Sequence, residues 1–367
     1  MASLNYTYMT DLMSITVVPS QTGNIPYRVE IRPVKFADAT YTTIYQGSIY
    51  CDGNPVTIYL NDILETYMDD YSWFKELSIS STEITPAISR VHVEARLVLD
   101  TYSGPLTYSL SNIINGYLSP NTKRVPIFAS NQKLQVFTEM GYNVVPHIPL
   151  VDKLVQSDDR KPFTMPVRMF VTTSTTKLNL DYKNPDGTIA HSTTKSTNGY
   201  PIYGVNVTTT MLSLGTNIVN EGCKIIASVD GVESPIAVID YNPAEYYLMW
   251  TNRYGATQCQ PFCKKNTLSE SVSTSYITSS TNESVVSNKS VDYTWTLNSH
   301  WLTYDEHSEF ESLLTSKYVW LYDTKNIQFY PVNVTDSKWS YKNSSNNKKP
   351  FNLTVNIKSA RHQNIGY

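Results

Sequence analysis

Apolar and polar residues alternate with a period of two over many short stretches of this chain, and most of the stretches end at a turn signal. The cleanest is Val91-His-Val93-Glu-Ala95-Arg-Leu97-Val-Leu99. It predicts a strand with an apolar face and an opposite face carrying His92, Glu94 and Arg96. Ahead of it, Ile15-Thr-Val17, Tyr27-Arg-Val29-Glu-Ile31, Thr43-Ile-Tyr45 and Ile49 to Cys51 predict a β-meander, broken at Pro19, Thr22-Gly-Asn24, Pro33 and Asp52-Gly53. The period changes once in this half. In Asn61 to Tyr71 the apolar residues fall on one helical face, and Asp62 and Glu65 have the spacing of a capping box. A single amphipathic helix is expected there, with Ile63, Leu64, Tyr67 and Met68 facing in.

Residues 110–150, with Asn115-Gly116 and Pro120, Pro126, Pro146 and Pro149, read as loop with short strands. Short strands resume from Val167 to Leu214, with Asn184-Pro-Asp186-Gly187 and Asn198-Gly199 as turns. The polar segment around 182–202 is expected to project as a hairpin. Asp230-Gly231 predicts another hairpin between Cys223 to Ser228 and Ile236 to Asp240. Tyr246-Tyr-Leu-Met-Trp250 is different in kind. Five bulky residues between Pro243 and Gly255 predict a strand buried on both faces.

Beyond it, residues 267–290 are dominated by Ser, Thr and Asn and are expected to form an exposed pair of strands, with Val272, Tyr276, Ile277, Val285 and Val286 as apolar anchors. Thr303 and Glu306 have capping-box spacing ahead of Phe310, Leu313 and Leu314, which share a helical face. Lys317 to Asp323, a turn at Thr324-Lys-Asn326, Ile327 to Val334 and Phe351 to Ile357 then read as strands of a small α+β module. Strand-helix alternation is absent. The pattern predicts a mainly β, multidomain, β-sandwich-like chain with two short amphipathic helices, divided as an N-terminal domain 1–160, a middle domain 161–245 and a C-terminal module 246–367.

Composition narrows the function classes. The 367 residues include 28 tyrosines but only 17% charged residues, with a net charge of -3, which suits broad uncharged surfaces rather than a phosphate-tracking groove. Neither Lys264-Lys265 nor Lys348-Lys349 extends into a basic patch, so no sequence-specific nucleic-acid binding is expected. No stretch is apolar and long enough to span a bilayer as a helix, and the Met1 to Tyr8 start has no basic and apolar leader, so a secretory signal is not expected. Cys51, Cys223, Cys259 and Cys263 form neither a disulfide framework nor a complete zinc-ligand set.

Catalytic candidates are thin. Asp69-Asp70, Asp158-Asp159 and Asp305-Glu306 are adjacent carboxylates of the kind a glycosidase would need to hold apart across a substrate. His92, His147, His191, His300, His307 and His362 are scattered without metalloprotease spacing, and no phosphate loop or nucleophile elbow occurs. A second class is a carbohydrate- or receptor-binding sandwich that stacks sugars on Trp73, Trp250, Trp295, Trp301 or Trp339.

The run Tyr246 to Gly255, the helix-then-strands pattern from Thr303 to Ile357 and the meander ending in Leu60-Asn-Asp-Ile-Leu64 together resemble tail and baseplate-type virion proteins of phages infecting Bacteroidales, crAss-like phages among them. The resemblance implies a non-enzymatic subunit of a ring, hub, collar or adaptor, with no catalytic, cofactor or metal site. It also implies a cyclic homo-oligomer that contacts other tail or neck proteins, located in the virion and assembled in the host cytoplasm.

Overall fold

The computed structural model describes residues 7–8, 13–18, 21–33, 40–67, 84–86, 92–114, 134–136, 145–149, 166–171, 177–196, 202–206, 222–229, 231–240, 242–251, 257–278, 280–281, 283–302, 307, 310–316, 318–336, 351–359 and 363–364. Within them the chain is mostly strand, in four sheets of four to eight strands plus a two-stranded pair, with two short helices. This is the β-sandwich-like class that the alternation predicts.

The first sheet runs β1 (Thr7–Tyr8), β8 (Gly104–Ile114), β7 (His92–Thr101), β3 (Gly23–Pro33), β4 (Thr42–Cys51). Antiparallel register sets Tyr27 of β3 opposite Leu99 of β7 and Ile31 opposite Ala95, so the alternate apolar residues of both strands share a face. That face buries Ile25, Val29, Ile31, Val93, Ala95, Leu97 and Leu99 against the antiparallel pair β2 (Ser14–Val17) and β5 (Val56–Tyr59) and against helix α1 (Asn61–Tyr67). Leu64 is fully buried there, with Ile63 and Tyr67 packed beside it; Met68 lies outside the described residues. The first residue of the helix is tied to the chain just ahead of β2, because the Asn61 Oδ1 accepts the Met13 N–H at 2.9 Å.

The opposite face carries the charges. Arg32 pairs with Glu94 at 2.6 Å, Arg28 with Glu30 and with Asp100 at 2.7 Å each, and Arg96 with Glu30, while the Tyr41 ring lies 3.8 Å beneath the Arg96 guanidinium. Glu94 and Arg96 thus sit in a structural ion-pair network, and the side chain of His92 is outside the described residues. Burial raises the pKa of Glu30, but the hydrogen bonds and charges of Arg28 and Arg96 outweigh it and hold the carboxyl below its ordinary value. Stability contributed by this group is therefore complete above the unfolded carboxyl pKa and is lost as pH falls through the lower folded value. Urea unfolding should show wild type more stable than Glu30→Gln at neutral pH, with the gap closing as pH falls below about 4; a gap undiminished at acid pH would contradict the assignment.

A four-stranded sheet runs β6 (Ile84–Pro86), β14 (Ile202–Asn206), β11 (Pro166–Val171), β9 (Leu134–Val136). Another has five strands, β10 (His147–Pro149), β16 (Val232–Asp240), β15 (Cys223–Val229), β12 (Lys177–Lys183), β13 (Ile189–Ser196). Its β15-β16 hairpin turns where Asp230-Gly231 predicts, with Gly231 at φ +83°, a conformation that favours glycine. The largest sheet runs β18 (Thr257–Phe262), β17 (Tyr246–Thr251), β21 (Val319–Asp323), β22 (Gln328–Val334), β23 (Phe351–Ser359), β20 (Ser284–Leu302), β19 (Thr267–Thr278), with β24 (Gln363–Asn364) also paired to β20.

The aromatic run is β17, hydrogen-bonded to β18 on one side and β21 on the other. Its two faces enter two different cores. Tyr247 and Met249 pack with Cys259 and Tyr322 against Leu178, Leu180, Tyr182, Ile225 and Ile236 of the five-stranded sheet. Leu248 and Trp250 pack on the other side with Phe262, Leu297, Leu321 and Ile357, and with Phe310 and Leu313 at helix α2 (Glu311–Thr315). Packing is thus continuous across residue 245, joining sheets that precede and follow it. The helical start at Thr303 to Glu306 lies outside the described residues.

The hairpin expected to project at 182–202 does not stand free over its described part. β13 pairs with β12 from Lys177 opposite Ser196 to Lys183 opposite Ile189. β12 is itself an inner strand whose Leu178, Leu180 and Tyr182 are fully buried. Polar composition on an edge strand resembles that of a free arm, since the outer face of such a strand is solvated either way.

Candidate functional site

The element that leaves the body of the fold is the ribbon of β19 and the first half of β20. Register places Leu268 opposite Trp295, Glu270 opposite Tyr293, Val272 opposite Val291, Thr274 opposite Lys289 and Tyr276 opposite Val286. Opposed residues share a face, so the even positions of β19 gather the apolar side chains of Leu268, Val272 and Tyr276 on one face, with Glu270 and Thr274 between them. The odd positions from Thr267 to Ser275 face Thr296, Thr294, Asp292, Ser290 and Asn288, a polar surface.

At its base the apolar face belongs to the core, where Trp295 and Leu297 are buried. Along β19 the same face is open to solvent, from Leu268 opposite Trp295 at the base to Val272 at 59% and Tyr276 at 63% exposure, with Val286 exposed opposite Tyr276. The pair of strands expected at 267–290 is present, but its apolar residues do not anchor it; Ile277 and Val285 are exposed as well. Serine at positions 269, 271, 273 and 275 is the sequence signal for an amphipathic strand, and nothing local tells whether its apolar face is covered.

Other side chains also bear on chemistry. His147, Asp240 and Tyr247 meet where β10, β16 and β17 converge: the His147 Nδ1 lies 2.9 Å from the Asp240 Oδ1, and the Tyr247 hydroxyl donates to the Asp240 Oδ2 at 2.8 Å. Burial, reinforced by the Asp240 charge, pushes the Tyr247 phenol far above its ordinary range, so it stays a donor. Among the described residues no serine, threonine or cysteine is hydrogen-bonded to His147, and the arrangement serves as a latch between sheets. Asp240 and Tyr247 are 7 residues apart, but His147 is 93 residues from Asp240, and no local motif announces the contact.

The cysteines are reduced, with Cys51, Cys223 and Cys259 buried and Cys263 exposed. Burial pushes Cys223 up to about 11, and burial with the Asp240 charge raises Cys259 well above the usual thiol value. Neither presents a thiolate near neutral pH. Among the described residues no group of three or more His, Cys, Asp or Glu is placed to hold a metal ion. The carboxylate pairs at 69–70, 158–159 and 305–306 lie outside the described residues.

Of the tryptophans, Trp250 and Trp295 fill the core, Trp73 and Trp339 lie outside the described residues, and Trp301 is 57% exposed. The Lys264 ammonium lies 3.5 Å from the Trp301 ring centroid and so covers a face that a sugar would stack on. No helix among the described residues is long and apolar enough to cross a membrane. No protein-family model matches the chain, and no curated protein is significantly similar to it.

Proposed function

We propose that this protein is a structural subunit of a phage virion tail, assembling with copies of itself into a ring or hub and joining adjacent tail proteins. The observation that carries the reading is the ribbon, whose face leads from a hydrophobic core out to the exposed side chains of Val272, Tyr276 and Val286. Several large apolar side chains exposed on one element mark a contact between proteins. A chain rich in tyrosine and poor in charge suits broad interfaces, because each ring contributes large area and one polar handle. Contacts between unlike faces of successive copies close into a ring when the rotation between copies allows it.

The resemblance of the sequence to tail and baseplate-type proteins of Bacteroidales phages supports the placement in the virion. The test is incorporation. Tagged protein mixed with lysate of infected cells should be found by gold labelling at one fixed level of the phage tails. Labelling scattered over particles and debris alike, or binding to a glycan array without any tail labelling, would overturn the reading.

A further inference from the structure

Every long open edge among the described strands but one carries a bulge or a proline, which discourages pairing with another chain. Bulges, prolines and charges are the usual guards of such edges. On β4 the register skips Ile44, and on β13 it skips Ala190, so both edges are bulged. β8 carries Pro105 and a register break at Ser111 and Asn112. β18 contains Pro261 and is overlaid by the 145–149 segment, to which Gln260 donates a hydrogen bond at the Val145 carbonyl. Along the ribbon itself the extra residue, Ser287, sits on β20, which also carries Lys289.

β19 has neither a bulge nor a proline, and its one charge is Glu270. It runs for 12 residues with no proline, no lysine or arginine and no inserted residue, and β20 is its sole strand partner among the described residues. We propose that this edge is a pairing site for the β19 of a second copy, antiparallel and centred on Val272.

The sequence of β19 is self-complementary in that register. With the two-fold axis at Val272, Leu268 falls opposite Tyr276 twice and Val272 opposite itself, so apolar positions meet apolar ones. The strand's one charge, Glu270, falls opposite Thr274 and away from its symmetry mate. Serines meet serines on the other face. A register centred on Glu270 would oppose two carboxylates, and one centred on Ser273 would set Glu270 against Tyr276 and Val272 against Thr274. A segment of another protein would have no reason to be matched to these spacings, whereas a second copy is matched by construction. The contact is two-fold and makes pairs; a ring needs a further contact between unlike faces, and the two together stack rings back to back with an even number of copies.

Charge complementation on the full-length chain tests this. Val272 is exposed, so Val272→Lys and Val272→Glu leave the core untouched, which circular dichroism and melting will check. Each variant alone places like charges opposite each other at the axis, and sedimentation should show the two-fold association weakened about tenfold. An equimolar mixture should recover it, with Lys opposite Glu. Wild type without pairwise association, or variants that associate like wild type, would overturn the pairing. Single rings that persist in Val272→Lys with no stacking in wild type would overturn it too, while leaving the ring reading intact. Recovery in the mixture is an outcome that a partner other than a second copy does not produce.

Discussion

Replacing Trp250 by alanine is expected to destabilise the protein by about 3–5 kcal/mol, the range for removing a fully buried large aromatic. Trp250 has no solvent exposure and lies in a strand paired on both sides. Its ring packs 5.4 Å from Phe310, and its indole N–H donates to the Ser312 Oγ at 2.8 Å in a buried setting, so β17 is fastened to α2 by packing and by a hydrogen bond. Truncation leaves a cavity beneath the helix and removes that donor. Trp250→Phe keeps most of the area and loses the hydrogen bond, and should cost about 1–2 kcal/mol. Against a total of about 5–15 kcal/mol for a typical domain, the alanine variant approaches unfolding. Urea titration followed by far-ultraviolet circular dichroism measures both. A shift below about 1 kcal/mol for Trp250→Ala would contradict the place given to β17.

Shortening the ribbon should do the reverse: abolish assembly at little cost to folding. Replacing residues 274–289 with Asn-Gly joins Ser273 to Ser290 through a two-residue hairpin loop and removes Tyr276, Ile277, Val285 and Val286 from the surface. The pairing of Val272 with Val291 and of β24 with Ser290 and Val291 is kept. Because the removed side chains are exposed, the melting temperature should move by only a few degrees, on the order of 1 kcal/mol or less. Native mass measurement should find the shortened protein monomeric. An assembly of unchanged size would place the contact elsewhere.

Which of these features the sequence made legible follows from the range of the interactions behind them. The alternation in Val93 to Leu99 and the turn between Val229 and Val232 are local, and both appear where predicted. Five bulky residues at 246–250 announce a strand buried on two sides, yet cannot say that the sides belong to different cores, because Leu180 and Tyr182 on one side and Ile357 on the other lie far from them in the chain. The contact of His147 with Asp240 spans 93 residues and has no local signature. Bulges at Ile44 and Ala190 are set by strand pairing, and neither residue type marks one. Around 182–202 composition misleads, because a solvated edge strand and a free arm select the same polar residues. For the ribbon, the serine spacing is readable, but the exposure of Val272 and Tyr276 depends on what packs against them from elsewhere in the chain, which no window of sequence contains.

The most direct measurement is the mass of the purified full-length protein by native mass spectrometry across a concentration series, with negative-stain images of the same samples. Closed rings of one stoichiometry, lost when the ribbon is shortened, are the predicted result. A monomer at every concentration, both alone and with lysate of infected cells, would contradict the account.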